Sequence, residues 1–341
     1  ENYRADVIYF GTVEGTWGDS GLGGWGGKVY RLVTHKEESN GSKMVEVVST
    51  PSEWAGLLAD NPMPLIDVGR PVTAAPAIGW DGKYRWVYFG TGRFFDKDDK
   101  TDSSSNAQET YYGIKEPQDC NDNLTWNTVS KTGSISSATL PGNRGLLQVD
   151  QILVQEASTM VDATLSCIDT TTDCLPEEDN SPIGTFDELV EYIVGTGCPN
   201  PGEFTGTDGW YKEFSAPRER SLGQATVLGG LLTFTTYQPY DDVCLPEGLA
   251  FLYGSYYQTG TAWHDRVFAP SGINVDGAGN IVDRLSIGRG LALTPNLHVG
   301  KNTGSKAFVQ TSTGAIVEIP QPNLPIKNAK SGLTVWDEII N

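Results

Sequence analysis

The chain has 341 residues, long enough for one large domain or two ordinary ones with a substantial buried core. Its 24 basic and 43 acidic residues leave a formal net charge of −19, which repels phosphate backbones and anionic lipid and so excludes nucleic acid as the expected partner. Forty glycines, 19 prolines and three methionines, without any apolar run of membrane-spanning length, exclude membrane insertion by helices and point to short strands joined by tight turns.

The opening ENYRADVIYF has no leader pattern and runs almost directly into a strand, as expected of a mature or excised piece. ADVIYFGTVEG then passes through the Gly/Trp loop GDSGLGGWGG into KVYRLVT. A second cluster, PVTAAPAIGWDGKYRWVYFGTG, is followed by an acidic loop and by QETYYGIKE. In that loop Asp96, Asp98 and Asp102 take the first, third and seventh places of a DxDxxxD pattern. Alternate carboxylates suit calcium, which takes hard oxygen ligands, but the EF-hand glycine and closing glutamate are missing and Lys100 interrupts the set. A weak calcium site and a solvated hairpin loop both remain open.

From Pro117 to Pro217 the strand grammar breaks. Within this span TFDELVEYIVGTG predicts a helix, with Thr185 as N-cap, Glu188 three residues later, apolar residues at Phe186, Leu189, Val190, Ile193 and Val194, and Gly195 as the stop. Strand grammar returns in SLGQATVLGGLLTFTTYQP and GLAFLYGSYYQTGTAW, and again in SIGRGLALTPNLHVGKNTGSKAFVQTSTGAIVEIP. Between them NVDGAGNIVD reads as a hairpin turn around Asp276.

The four clusters share an order: small-residue strand, turn, apolar strand ending near Gly-Thr, loop, strand. Such recurrence is the signature of propeller blades, whose middle strands are covered on both faces and lose alternation. The expected fold is therefore all-β: part of a roughly seven-bladed β-propeller with a large, partly helical loop insertion. Residues 1–116 would supply blades, 117–217 the insertion between blade strands, and 218–341 further blades with a C-terminal closing segment.

Five cysteines without CxxC spacing fit disulfides in an oxidising compartment. Cys167 and Cys174 can close a short loop, and one further pair is expected among Cys120, Cys198 and Cys244, with the choice open. His35, His264 and His298 are dispersed, and no GxSxG, HExxH or P-loop occurs, so the expectation is a non-enzymatic protein with no catalytic residues. The rival is a secreted, quinone-dependent or other propeller enzyme.

The strings PVTAAPAIG, VYFGTGRFF, ETYYGIKE, DGWYKEF, RERSLGQATVLGGLLTFTTYQP, LYGSYYQTGTA and GSKAFVQTSTGAIVEI, in that order, resemble the C-terminal β-propeller of type IV pilus tip proteins of the PilC/PilY type. The resemblance implies an extracellular protein at the pilus tip that supports pilus assembly by opposing retraction and contributes to adhesion. It implies minor pilins, or another chain completing the propeller, as partners, and host or abiotic surfaces as ligands. It also implies an EF-hand-like calcium loop, of which Asn2 and Asp6 would be the last two ligands.

Overall fold

The computed structural model describes residues 7–15, 25–39, 44–48, 64–95, 98–101, 108–122, 124–125, 127–156, 161–162, 183–200, 202–240, 242, 244–245, 247–268, 275–300 and 304–326. The aromatic and β-branched runs form strands β1 (Val7–Gly11) and β2 (Lys28–Val33), a hairpin of β3 (His35–Ser39) with β4 (Met44–Val48), and β5 (Pro64–Asp67). Strands β1, β2 and β5 pair antiparallel in that order.

Next come β6 (Ala77–Trp80), β7 (Arg85–Gly90), helix α1 (Asp98–Thr101), β8 (Thr110–Lys115), the two-residue strands β9 (Leu147–Gln148), β10 (Leu153–Val154) and β11 (Val161–Asp162), helix α2 (Phe186–Val194) and β12 (Gly209–Glu213). The second sheet has the order β6-β7-β8-β12-β9, and only its outermost pair is parallel. Residues 209–213, inside the span expected as insertion, thus return to the sheet as a strand beside β8. A third sheet joins β13 (Thr226–Leu228), β14 (Leu231–Pro239), β15 (Gly248–Tyr256) and β16 (Arg284–Arg289), and a fourth joins β17 (Asn296–Gly300), β18 (Gly304–Gln310) and β19 (Ile316–Gln321). The fold is all-β, and both described helices lie in the acidic loop or the insertion.

Why the middle strands read as unbroken apolar runs is visible in where their side chains go. Successive residues of a strand point to opposite faces. In β7, Val87 and Phe89 join Val29 and Ile66 of the first sheet in one core. Trp86 and Tyr88, from the opposite face, join Trp210 of their own sheet and Phe234 and Tyr253 of the third in another. Strand β15 divides likewise: Phe251 and Tyr253 face the second sheet, while Ala250 and Leu252 meet Ala307, Val309 and Ile319 of the fourth. Each pair of consecutive sheets shares one core, as consecutive propeller blades do. The middle core is aromatic, with Tyr111 stacked on Phe234 at 3.7 Å and Phe234 on Tyr253 at 4.7 Å.

The recurring Gly-Thr marks the crossing from one sheet to the next. Val72 donates its N–H to Thr12 O at 3.0 Å, and Ser221 donates to Thr91 O at 3.0 Å. The glycine before each threonine has no room for a side chain: a Cβ on Gly11 would lie 2.3 Å from Val72 Cγ1, and one on Gly90 2.2 Å from Ser221 Cβ. Gly90→Val is therefore expected to cost about 3 kcal/mol through overpacking, whereas Gly277→Val, with open space around it, stays within about 0.5 kcal/mol. Urea unfolding of the two variants separates them; equal losses would contradict the seam.

Candidate functional site

Where β8 ends, Pro117 begins the span that the sequence reads as an insertion. The disulfide Cys120–Cys198, with Cα atoms 5.4 Å apart, ties this start to the segment after α2. It resolves the choice left open among three cysteines; Cys244 is a free, exposed thiol. The expected Cys167–Cys174 bridge lies outside the described residues.

Helix α2 forms as its caps dictate. Thr185 Oγ1 accepts the Glu188 N–H at 3.2 Å and Glu188 Oε2 accepts the Thr185 N–H at 2.9 Å, a complete capping box. Phe186, Leu189 and Ile193 are buried in the aromatic core, with Phe186 edge-on to Tyr256 and Trp263. The last turn has no basic residue of its own. Lys115, from the end of β8, supplies the missing cation: its Nζ donates to Ile193 O at 3.2 Å and to Val194 O at 2.7 Å, at the negative end of the helix dipole.

Two further groups hold the base of the insertion. The Asp208 carboxylate accepts the N–H groups of Gly142, Arg144 and Gly145 at 2.8, 2.7 and 3.1 Å. The Arg144 guanidinium donates to the carbonyls of Ser136, Thr139, Ile135 and Gly206 at 2.5–3.1 Å. Beside them Glu116, fully buried, accepts Arg31 on one oxygen and Arg85 on the other, both at 3.2 Å.

Together these elements enclose a cleft of about 220 Å³ that includes Lys83, Tyr84, Lys115, Gln118, Arg144 and the disulfide. Burial pushes the Lys115 ammonium pKa down to about 7; the Asp208 carboxylate opposes that shift and Arg144 adds to it. Burial also raises the Asp208 carboxyl, against the pull of its backbone donors. Gln118 is 8% exposed, yet among the described residues its Oε1 meets no hydrogen-bond donor.

An amine with a lowered folded pKa binds fewer protons folded than unfolded between the two values, so the Lys115 contribution to stability rises as pH climbs from about 7. Between pH 7 and 9 the protein should gain on the order of 2 kcal/mol relative to Lys115→Met. Urea unfolding at pH 7, 8 and 9 measures this; parallel curves for the two proteins would contradict it.

The sequence drew attention elsewhere. Asp96, Asp102, Asn2 and Asp6 lie outside the described residues, and Asp98 opens α1. Its neighbour Asp99 turns inward, bonding Arg93 Nη2 at 2.5 Å and the Phe95 N–H at 2.7 Å, while Lys100 Nζ donates to Leu245 O. Among the described residues no three His, Cys, Asp or Glu side chains gather as a metal set. Asp276 forms the expected turn, its Oδ1 accepting the Ala278 and Asn280 N–H groups between bridged Val275 and Ile281. Lys83, Lys115, Gln118 and Arg144 were not singled out by sequence. The available signal was Lys115 itself, a cation closing a strand buried on both faces.

No family model matches the chain, and no curated protein matches it. Among solved structures it is similar to the crystal structure of the Pseudomonas aeruginosa PilY1 C-terminal domain, at 16% identity and a TM-score of 0.45, over 88% of this chain and 57% of that one. The chain thus spans less than two thirds of that structure's length. No helix among the described residues is long and apolar enough to cross a membrane.

Proposed function

We propose that this chain is a non-enzymatic, extracellular component of the type IV pilus tip, which supports pilus assembly by opposing retraction and carries adhesive contacts on its insertion. One observation carries the reading. The strings that resemble the pilus tip propellers are the scaffold itself: VYFG lies in an inner strand of the second sheet, GWYKE is its returning strand, and LLTFTTYQP with FLYGSY forms the central pair of the third. Their resemblance therefore concerns the buried frame on which function is mounted, while the insertion, locked by Cys120–Cys198 and Lys115, is the part placed for contact. Minor pilins, or a chain supplying further blades, are the partners this role requires.

Cells lacking the chain should carry few surface pili, and removing the retraction motor as well should restore them. Normal piliation without the chain, or no recovery when retraction is disabled, would overturn the reading.

A further inference from the structure

The cleft at the base of the insertion has the chemistry of a ligand site. The ammonium groups of Lys83 and Lys115 lie 5.0 and 4.6 Å from the centroid of the same Tyr84 ring. Neither forms an ion pair among the described residues; their hydrogen bonds go to the carbonyls of Thr196, Ile193 and Val194. Arg144, 4% exposed, is likewise bonded to carbonyls, and the two buried carboxylates of the cleft are already occupied, Glu116 by Arg31 and Arg85 and Asp208 by three amides. Although Asp119 and Asp122 also line the recess, Lys83 and Lys115 are left side by side on one ring with no carboxylate of their own among the described residues.

Gln118, which lines the recess and is more than nine-tenths buried, carries an Oε1 that has no hydrogen-bond partner among the described residues. A buried polar atom left unpaired is costly, so an occupant that supplies a donor there gains from it. The occupant must bring an anionic group to the lysines and an O–H or N–H to Gln118 at once. About 220 Å³ suits a group smaller than most drug-sized ligands, of the order of one sugar ring. The walls add the Thr196 hydroxyl and the acidic Asp119 and Asp122, partners suited to ring hydroxyls.

We propose that this cleft binds one acidic monosaccharide unit, of the uronic or sialic acid class, with its carboxylate between Lys83 and Lys115 and a hydroxyl donating to Gln118 Oε1. A peptide C-terminus would also bring a carboxylate and an N–H, but its terminal side chain calls for an apolar subpocket, and these walls are chiefly polar. The site goes beyond the pilus reading and does not depend on it. Because Lys115 holds its proton weakly near neutrality, with Asp81, Lys83, Tyr84, Arg144 and Asp208 as its charged or titratable surroundings, carboxylate binding takes up a proton and weakens as pH rises.

The test titrates the purified chain with glucuronate, N-acetylneuraminate and glucose at pH 6 and pH 8.5, using calorimetry or NMR shifts. Lys83→Met and Gln118→Leu are compared with the parent after their melting curves show them folded. Saturable binding of at least one acidic sugar is expected, with none of glucose, a loss of about tenfold in each variant and a weakening of about fivefold or more at the higher pH. Binding unchanged in both variants, equal binding of glucose, or no acidic-sugar binding at millimolar concentration would overturn the proposal. So would saturable binding of a short peptide through its free C-terminus without any acidic sugar. Each outcome is read on the purified chain, so the pilus reading stands or falls separately.

Discussion

Replacing Cys120 and Cys198 together by serine should cost about 4 kcal/mol, because the bridge closes a loop of 78 residues and restricts the unfolded chain accordingly. The loss should also be uneven. The sheets keep their shared cores without the bridge, whereas the segment after α2 is otherwise held by hydrogen bonds such as Lys83 to Thr196 O, Phe204 N–H to Ser137 O and Arg144 to Gly206 O. Hydrogen exchange should therefore rise first in residues 117–122 and 195–207, ahead of β7 and β15. Urea unfolding with exchange mass spectrometry checks both parts. A variant as stable as the parent, or one that loosens uniformly, would contradict this account of the insertion.

Asp208→Ala should be comparably severe. The substitution leaves the N–H groups of Gly142, Arg144 and Gly145 without their acceptor in a buried turn, at roughly 1–3 kcal/mol each before relaxation, so about 4 kcal/mol in all is expected. It also removes the charge that most opposes the lowering of the Lys115 pKa. Titration of Lys115 should move further down, a change that a purely steric defect would not produce. Asp208→Asn is expected to fall between, since its amide keeps one acceptor but turns an N–H toward existing donors. Denaturant midpoints of the two variants, with the Lys115 titration followed by NMR, decide the matter; a loss under about 1 kcal/mol for the alanine variant would contradict it.

Much of the frame could be read from sequence because its causes are local. Strand, turn and Gly-Thr recur because each sheet repeats the same problem, a middle strand covered on both faces and a crossing too tight for a Cβ. The capping box of α2 and the Asp276 turn were equally legible, since their partners sit within four residues. What stayed hidden depends on partners far apart in the chain. The return of β12 to β8 follows almost a hundred residues of excursion, and periodicity is silent on such pairings. Lys115 looked like an ordinary strand-end lysine, because the carbonyls it caps belong to a helix 78 and 79 positions away. The cysteine pairing was open for the same reason: spacing limits the candidates, and only the fold brings Cys120 to Cys198.

The proposed function would place this frame at the pilus tip, and immunogold labelling of the chain on intact, piliated cells is the most direct measurement of it. Label at the distal ends of pili, unaltered by shearing pili from the cells before staining, is the predicted result. Label confined to the cell body, with fully formed pili bare along their length and at their ends, would contradict the account.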